Sequence, residues 1–142
     1  MKKYYLLLGI FVLLDQLTKK IFENVNFELL SFFKLISVEN TGAAFGIFQN
    51  GTWILAFISL IVVVIGFIYF KYYPLALSFL IAGALGNFID RIFLGYVRDF
   101  ISISIWPVFN FADIFSTIGV GLLIIKLYKE DKAYKLKSHR RK

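Results

Sequence analysis

The sequence contains no cysteine, and its only histidine, His139, lies in a highly charged C-terminal segment. The absence of cysteine excludes a disulfide framework, a thiolate nucleophile and a cysteine-based metal site. A zinc site needs several histidine or cysteine ligands, and a serine–histidine hydrolase needs a histidine beside its nucleophile. Phosphate-binding glycine loops are also absent. We therefore expect neither a metal nor a cofactor.

Charged residues are few, and apolar residues are abundant. Of 142 residues, 18% are charged and 59% hydrophobic, and the mean hydropathy is +0.75. Soluble domains are usually about 45–50% apolar, so the composition predicts a membrane protein. The net charge of +7 is concentrated near the C-terminus, where a basic segment follows an apolar run. This arrangement is typical of a topology signal or a contact for anionic lipid, and we expect no nucleic-acid partner.

Four apolar segments approach the roughly 20 residues that a membrane-spanning helix requires. They run from about residue 4 to 22, 53 to 70, 75 to 93 and 111 to 127. The first begins like a signal peptide but has no small-residue cleavage site, so we interpret it as a retained helix. The predicted fold class is an all-α membrane protein with four transmembrane helices. We expect one domain, 1–142, with a basic cytoplasmic tail from about residue 129.

The distribution of lysine and arginine predicts the orientation. If both termini and the short turn at 71–74 are cytoplasmic, eleven of the 16 basic residues lie on that side, as the positive-inside rule requires. The longer connections, 23–52 and 94–110, then face the outside together. Within 27–50, FKLISVE alternates like a strand and NTG indicates a turn. We expect a small β element on the outer membrane surface, with a plain amphipathic loop as the alternative.

Four aspartates lie in or near the predicted spans, where ionisable groups are costly and suggest function. They are Asp15, Asp90, Asp99 and Asp113. Asp15 and Lys19 are four residues apart, which favours a structural ion pair on one helix face.

The third predicted helix carries a stripe of small and polar residues. Gly83, Asn87 and Asp90 fall on one face, with Gly86 beside it. Glycines allow helices to approach closely, and polar groups then bond across the contact. We interpret Gly83 and Gly86 as packing residues. Asn87 and Asp90 suit packing and function equally well.

The motif FNFAD places Asn110 and Asp113 at the spacing of a helix N-cap and an acid in the first turn. Asp99, in the preceding connection, can reach the same level. Two close carboxylates share a proton, so one can activate water while the other protonates a carbonyl group. That chemistry hydrolyses peptides without a metal or a covalent intermediate. The pattern does not decide which two of the four aspartates form the pair.

Four motifs together resemble the lipoprotein signal peptidases, the bacterial signal peptidase II family. They are DQLTK at 15–19, ENTGAAFGIF at 39–48, GALGNFIDRIFLGYVRDFI at 83–101 and FNFAD at 109–113. The resemblance implies a membrane aspartyl endopeptidase of the bacterial cytoplasmic (inner) membrane. Such an enzyme removes the signal peptide of a prolipoprotein by cutting before a diacylglyceryl-modified cysteine. It also implies that Asp99 and Asp113 form the catalytic dyad.

The same resemblance implies further features of the site and its surroundings. A small extracytoplasmic β-cradle would correspond to 27–50, and a periplasmic helix would lie in 94–110, although that connection is short here. Trp106 is interpreted as an interfacial anchor, with part of a substrate gate as the alternative. The expected partners are a prolipoprotein and membrane lipid, and the protein is expected to be a monomer. Residues expected to line or support the site are Asn40, Gly83, Asn87, Asp90, Arg91, Asn110, Ala112, Asp15 and Lys19.

A small proton-coupled transporter or channel is the main alternative, since such proteins also bury aspartates. It predicts polar groups throughout the bilayer depth, whereas here they cluster towards one side. A non-catalytic membrane scaffold is a second alternative, but it has no need of Asp99 and Asp113 together. The residues alone favour a peptidase only slightly over a transporter, and the resemblance favours it strongly.

Overall fold

The structure, a computed structural model, describes residues 1–43 and 47–139. This part of the chain forms four long helices and one small antiparallel sheet. Along the chain the elements are α1 Lys2–Ile21, β1 Asn26–Leu30, β2 Phe33–Asn40, α2 Thr52–Tyr69, α3 Pro74–Leu94, β3 Val97–Ile103 and α4 Phe111–His139. The four predicted helices are therefore confirmed as helices.

Helix α3 is the centre of the helical bundle, since α1, α2 and α4 all pack against it. Its apolar half provides Leu77, Ile81 and Ala82, which are almost completely buried. Val63 of α2 and Leu8 of α1 pack into the same core. The core thus occupies the half of the bundle near the start of α3 and leaves its other end to polar residues.

Glycines in α3 allow close helix contacts. A Cβ atom on Gly83 would clash with the carbonyl oxygen of Ala112 and the hydroxyl of Ser116 in α4. A Cβ on Gly86 would clash with the carboxylate of Asp15. The predicted packing role of both glycines is confirmed, because only residues without a side chain fit at these contacts.

Three of the helices are long and apolar enough to cross a membrane: Thr52–Tyr69, Pro74–Leu94 and the segment Phe111–Lys137. The chain is therefore a multi-pass membrane protein. Helix α1 does not reach the same level of apolarity. Its second half carries Asp15, Lys19 and Lys20.

Helix α4 is longer than predicted. The predicted span ends near residue 127, but the helix continues to His139 and has 29 residues. At 1.5 Å per residue it is about 43 Å long, which exceeds the roughly 30 Å hydrocarbon core of a bilayer. The described part of the predicted basic tail is therefore the final turns of this helix.

The sheet confirms the predicted β element and extends it. Its strand order is β1-β2-β3, and Val38 of β2 lies opposite Asp99 of β3. The expectation of a helix in the connection 94–110 is wrong, because the described residues between α3 and α4 form β3 and turns. Gly95 ends α3 with a φ of 84°, a left-handed conformation that glycine adopts readily. The chain then turns directly into a strand that pairs with β2.

Candidate functional site

Buried and half-buried polar side chains gather at one end of the bundle, where α1, α3, β3 and α4 meet. They fall into two groups with different electrostatics. The first, which we name the ion-pair cluster, consists of Asp15, Lys19, Asp90 and Arg98. The second, which we name the carboxylate pair, consists of Asp99 and Asp113.

In the ion-pair cluster, two acids alternate with two bases. The Lys19 ammonium lies 2.9 Å from Asp15 Oδ2 and 3.4 Å from Asp90 Oδ2. Arg98 Nη2 lies 2.8 Å from Asp90 Oδ1. Asp15, Lys19 and Asp90 are at most 1% exposed. The predicted Asp15–Lys19 pair is confirmed and is part of a larger, charge-balanced arrangement.

Further bonds tie this cluster to its neighbours. Asp15 Oδ1 accepts the backbone N–H of Ala112 at 2.8 Å. Gln16 donates to Asp90 Oδ1 at 3.2 Å and accepts from Arg98 at 3.0 Å. The sequence analysis did not identify Gln16 as a site residue, and its only signal was its position in the motif DQLTK. The cluster therefore fixes α1 and β3 against the ends of α3 and α4.

Asp99, on β3, is 3% exposed and is held by amides rather than by cations. Its Oδ2 accepts from Asn40 Nδ2 at 2.8 Å, and its Oδ1 accepts from Asn110 Nδ2 at 2.6 Å. No ion pair to it is formed within residues 1–43 and 47–139. Burial, and next the negative charge of Asp113, raise the pKa of the Asp99 carboxyl to about 7.

Asp113 lies in the first turn of α4, in a reciprocal capping arrangement with Asn110. The Asp113 N–H donates to Asn110 Oδ1 at 3.1 Å, and the Asn110 N–H donates to Asp113 Oδ2 at 3.1 Å. The predicted helix start is confirmed, and it has the form of a capping box. Asn110 thus bonds both members of the carboxylate pair, one through its backbone and the other through its side chain.

Asn87 connects the two groups. Its Oδ1 accepts from Lys19 Nζ at 2.9 Å and from Asn110 Nδ2 at 3.1 Å. Its Nδ2 donates to Asp113 Oδ1 at 2.8 Å. The ammonium of Lys19 can only donate, so it directs the amide oxygen of Asn87 towards itself and the amide nitrogen towards Asp113.

Both carboxylates line one cavity of about 300 Å³, together with Asn40, Asn87 and Arg91. The Arg91 guanidinium donates to the carbonyl oxygen of Gly42 at 3.3 Å, whereas its Nε has no hydrogen-bond partner in the described part of the chain.

A second cavity, of about 440 Å³, lies beside the first and is also lined by Asp99. Trp106 lines both cavities and is 61% exposed. Its predicted role as an interfacial anchor stays a prediction. Residues 44–46 of the motif ENTGAAFGIF lie outside the described residues.

The structure thus brings the predicted site residues together at one end of the bundle. Asn40, Asn87 and Asn110 bond the carboxylate pair directly. Asp15, Lys19 and Asp90 lie behind Asn87, and Gly83 and Ala112 form the close contact between α3 and α4. Arg98 belongs to the same network but was not among the predicted residues.

Comparisons with known proteins agree with the motifs. The family model described as signal peptidase (SPase) II matches residues 7–129. The lipoprotein signal peptidase of Halothermothrix orenii is 41% identical, over 90% of this chain and 97% of its own length. That of Moorella thermoacetica is 40% identical, over 87% of this chain and 91% of its own length.

A solved structure, of a bacterial membrane enzyme studied by the in meso method, shares the fold. It superposes with a TM-score of 0.83 at 36% sequence identity, and the match covers 92% of this chain and 90% of that chain. The match in family, sequence and fold favours the peptidase over the transporter. The chain therefore belongs to the signal peptidase II family, whose members are membrane aspartyl peptidases.

Proposed function

We propose that Asp99 and Asp113 are the catalytic dyad with which this peptidase removes the signal peptide of prolipoproteins. Prolipoprotein processing is the activity of the family to which the chain belongs. The observation that carries the assignment is the shared cavity, in which these are the two acidic residues. Both bond to Asn110, and neither has a cationic partner in the described residues.

The chemistry requires one protonated and one ionised carboxyl group. Asp99 is the group to hold the proton at rest, because its pKa is raised to about 7. Asp113 lies at the start of α4, where the helix dipole favours negative charge, and it accepts hydrogen bonds on both oxygens.

In the reaction, Asp113 takes a proton from a water molecule as the water oxygen bonds to the scissile carbonyl carbon. Asp99 donates its proton to the carbonyl oxygen, which forms a neutral tetrahedral intermediate. The C–N bond then breaks as the amine takes the proton from Asp113, and the proton of an intermediate hydroxyl returns to Asp99. The amides of Asn40, Asn87 and Asn110 position the two acids throughout.

We propose that α1 also spans the membrane, which gives four spans. The two charged residues that interrupt its apolar stretch, Asp15 and Lys19, are buried against α3 and α4. Its outward surface is apolar, with Leu6, Leu13 and Leu17 at least 59% exposed. Along most of this helix lipid therefore meets leucine rather than charge, and the exposed Lys20 lies in the last turn, where a lysine side chain can reach the membrane–water interface.

Orientation follows the positive-inside rule, with both termini in the cytoplasm and the site near the extracytoplasmic face. The sheet then lies at the outer membrane surface as a β-cradle. Its hairpin exposes Phe27, Leu29, Leu30 and Phe32, which suits contact with lipid and with a diacylglyceryl group. We propose that the enzyme is a monomer whose single domain, 1–142, ends in the basic cytoplasmic extension of α4.

A cleavage assay tests the dyad directly. Purified wild type, Asp99→Asn and Asp113→Asn are each given a diacylglyceryl-modified prolipoprotein and its unmodified precursor, and products are separated on a gel. Asp131→Asn is the matched control, because Asp131 is an exposed aspartate of α4 whose ion pair in the described residues is with Lys135. We expect wild type and the control to cut the lipidated form alone, and both dyad variants to be folded and inactive.

Two results would contradict the proposal. If a dyad variant cuts as well as wild type, the dyad includes another aspartate. If wild type also cuts the unmodified precursor, the diacylglyceryl requirement is wrong although the dyad stands.

A further inference from the structure

A groove at the opposite end of the bundle is not used by the proposed reaction. It has a volume of about 330 Å³ and lies between the starts of α1 and α3 and the last turns of the apolar part of α4. We name it the tyrosine groove, because Tyr4, Tyr72 and Tyr73 form its walls. Residues 74 and 90 of α3 are about 24 Å apart along the helix axis, which separates the groove from Asp90 by most of the thickness of a bilayer.

Positive charge surrounds the groove. Lys126 and Lys129 of α4 line it directly. Lys3 and Lys71 lie over the rings of two wall tyrosines, with their ammonium groups 5.0 Å from the ring centre of Tyr4 and 4.8 Å from that of Tyr72.

One acid, Glu130, lies beside these lysines. It contacts Lys126 at 3.6 Å and accepts the hydroxyl of Tyr73 at 3.0 Å. Lys129 has no acidic partner in the described residues. Four lysines and one glutamate make the mouth of the groove cationic.

The remaining wall of the groove is apolar and continues along α4. Leu122, Ile125 and Lys129 follow one another at helical spacing, and Ile118 precedes them on the same stripe. Ile118 is 40% exposed and Ile125 is 54% exposed, and Leu75 of α3 is 44% exposed. An apolar track therefore leads from the lysines towards the middle of the membrane. Tyrosine rings at its mouth have the amphipathic character found at membrane–water interfaces.

We propose that the tyrosine groove binds an anionic membrane phospholipid, with the phosphodiester at Lys126 and Lys129 and an acyl chain along Ile125 and Leu122. The cationic mouth matches the phosphate, and the apolar track matches the chain. The assignment rests on the proposed orientation, which places the groove at the cytoplasmic leaflet, and it does not depend on the catalytic dyad. A soluble phosphate would meet the same lysines but would leave the apolar track uncovered.

Lipid binding to the full-length protein in detergent tests this assignment, with native mass spectrometry as the readout. Three probes are compared: phosphatidylglycerol, phosphatidylcholine with the same acyl chains, and glycerol 3-phosphate. We expect phosphatidylglycerol to bind at least about tenfold more tightly than phosphatidylcholine, since each lysine near an anionic headgroup contributes about fivefold. We expect it to bind at least about tenfold more tightly than glycerol 3-phosphate as well, because glycerol 3-phosphate has no acyl chain to cover the apolar track.

Two double variants, each of which removes two positive charges, distinguish binding at the groove from nonspecific electrostatic attraction of the lipid to the protein. Lys126→Gln/Lys129→Gln removes the groove lysines, and Lys132→Gln/Lys137→Gln removes two exposed lysines further along α4. The first is expected to abolish the preference for phosphatidylglycerol, and the second to retain it. Lys129→Glu, a single change at an exposed position, is expected to weaken binding more than Lys129→Gln.

Three outcomes would overturn the proposal. Equal binding of the two lipids would show that the groove does not recognise anionic headgroups. Equal weakening by both double variants would show that only net charge matters. Binding of glycerol 3-phosphate as tight as that of phosphatidylglycerol would assign the lysines to a free phosphate. Cleavage is measured on the same preparations without added lipid, so failure of the dyad is seen separately.

Discussion

The molecule has two pairs of aspartates a short distance apart, three of them buried and Asp113 half-buried, and the surroundings of the two pairs differ. Asp15 and Asp90 are compensated by the cations of Lys19 and Arg98. Asp99 and Asp113 form no ion pair in the described residues and instead accept hydrogen bonds from amides, although the Arg91 guanidinium lines the same cavity. A compensated carboxylate has its charge fixed and serves as structure, whereas an uncompensated pair must hold a proton and can exchange it. A direct ion pair therefore distinguishes the two acids that we propose to be structural from the two that we propose to be catalytic.

Replacing each aspartate by asparagine should give the largest contrast between the pairs. Asp99→Asn and Asp113→Asn are expected to lower kcat/KM by at least about 10³-fold, because each removes an acid–base group, and to leave the protein folded. Asp15→Asn and Asp90→Asn unbalance the ion-pair cluster and should instead lower the free energy of unfolding. Cleavage per folded molecule and thermal unfolding in detergent measure the two effects. Inactivity of Asp90→Asn at full stability would contradict the distinction.

Lys19→Met should have the second-largest effect. It leaves two buried carboxylates with less compensation, which typically costs about 3–5 kcal/mol of stability. It also releases the oxygen of Asn87, so residual activity should fall in the molecules that remain folded. Lys20→Met is the control, because Lys20 is exposed and, within the part of the chain that the structure describes, forms its ion pair with Glu23. Equal loss of stability in the two variants would show that burial of Lys19 has no special role.

The alkaline limb of the pH–rate profile should report the loss of the proton from the carboxylate pair, Asp99 and Asp113. Because Asp99 is the proposed acid and burial raises its pKa to about 7, kcat/KM should fall about tenfold per pH unit above that value.

Stability gives an independent readout of the same group. The pKa of Asp99 is raised from its ordinary 3.8 on folding. The unfolded chain therefore loses this proton first, and the group destabilises the fold progressively from about pH 4 to 7. Asp99→Asn should remove this slope, so its melting temperature relative to wild type should be higher at pH 8 than at pH 5. An unchanged difference would contradict the raised pKa.

Asn40→Ala should have the smallest effect. The hydrogen bond from Asn40 favours the ionised form of Asp99, and its loss should raise the pKa of Asp99 further. A bond to a charged group is worth about 1.5 kcal/mol or more, so the alkaline limb should move up by about one unit. Asn26→Ala, in the exposed strand β1, is the control and should not move it.

Local features of this structure were predictable from the sequence. The Asp15–Lys19 pair depends on a spacing of four residues in one helix, and the Asn110–Asp113 cap depends on a spacing of three. The length of helix α4 was underestimated because its apolar stretch ends before the helix does. No glycine or proline follows, and the pairs Lys126–Glu130 and Asp131–Lys135 support the extra turns.

Features that depend on distant partners were not predictable from pattern. Strand β3 is seven residues long and forms because β2 offers a partner, which a short segment does not reveal by itself. The bond between Lys19 and Asn87 joins residues 68 positions apart. The choice of Asp99 and Asp113 over the other two aspartates came from the family resemblance, since spacing alone gives no information about which acids meet a cation.

In the capping box at the start of α4, the Asp113 side chain both caps the helix and belongs to the proposed dyad. The bonds between Asn110 and Asp113 begin the helix, and the same carboxylate belongs to the proposed dyad. The first turn of a helix is also where fraying begins. If the proposed dyad is correct, loosening of this single turn would inactivate the enzyme while the remaining seven or so turns of α4 stay intact. On warming, activity should disappear before helicity does, so the enzyme would have a working temperature set by one turn rather than by the whole bundle.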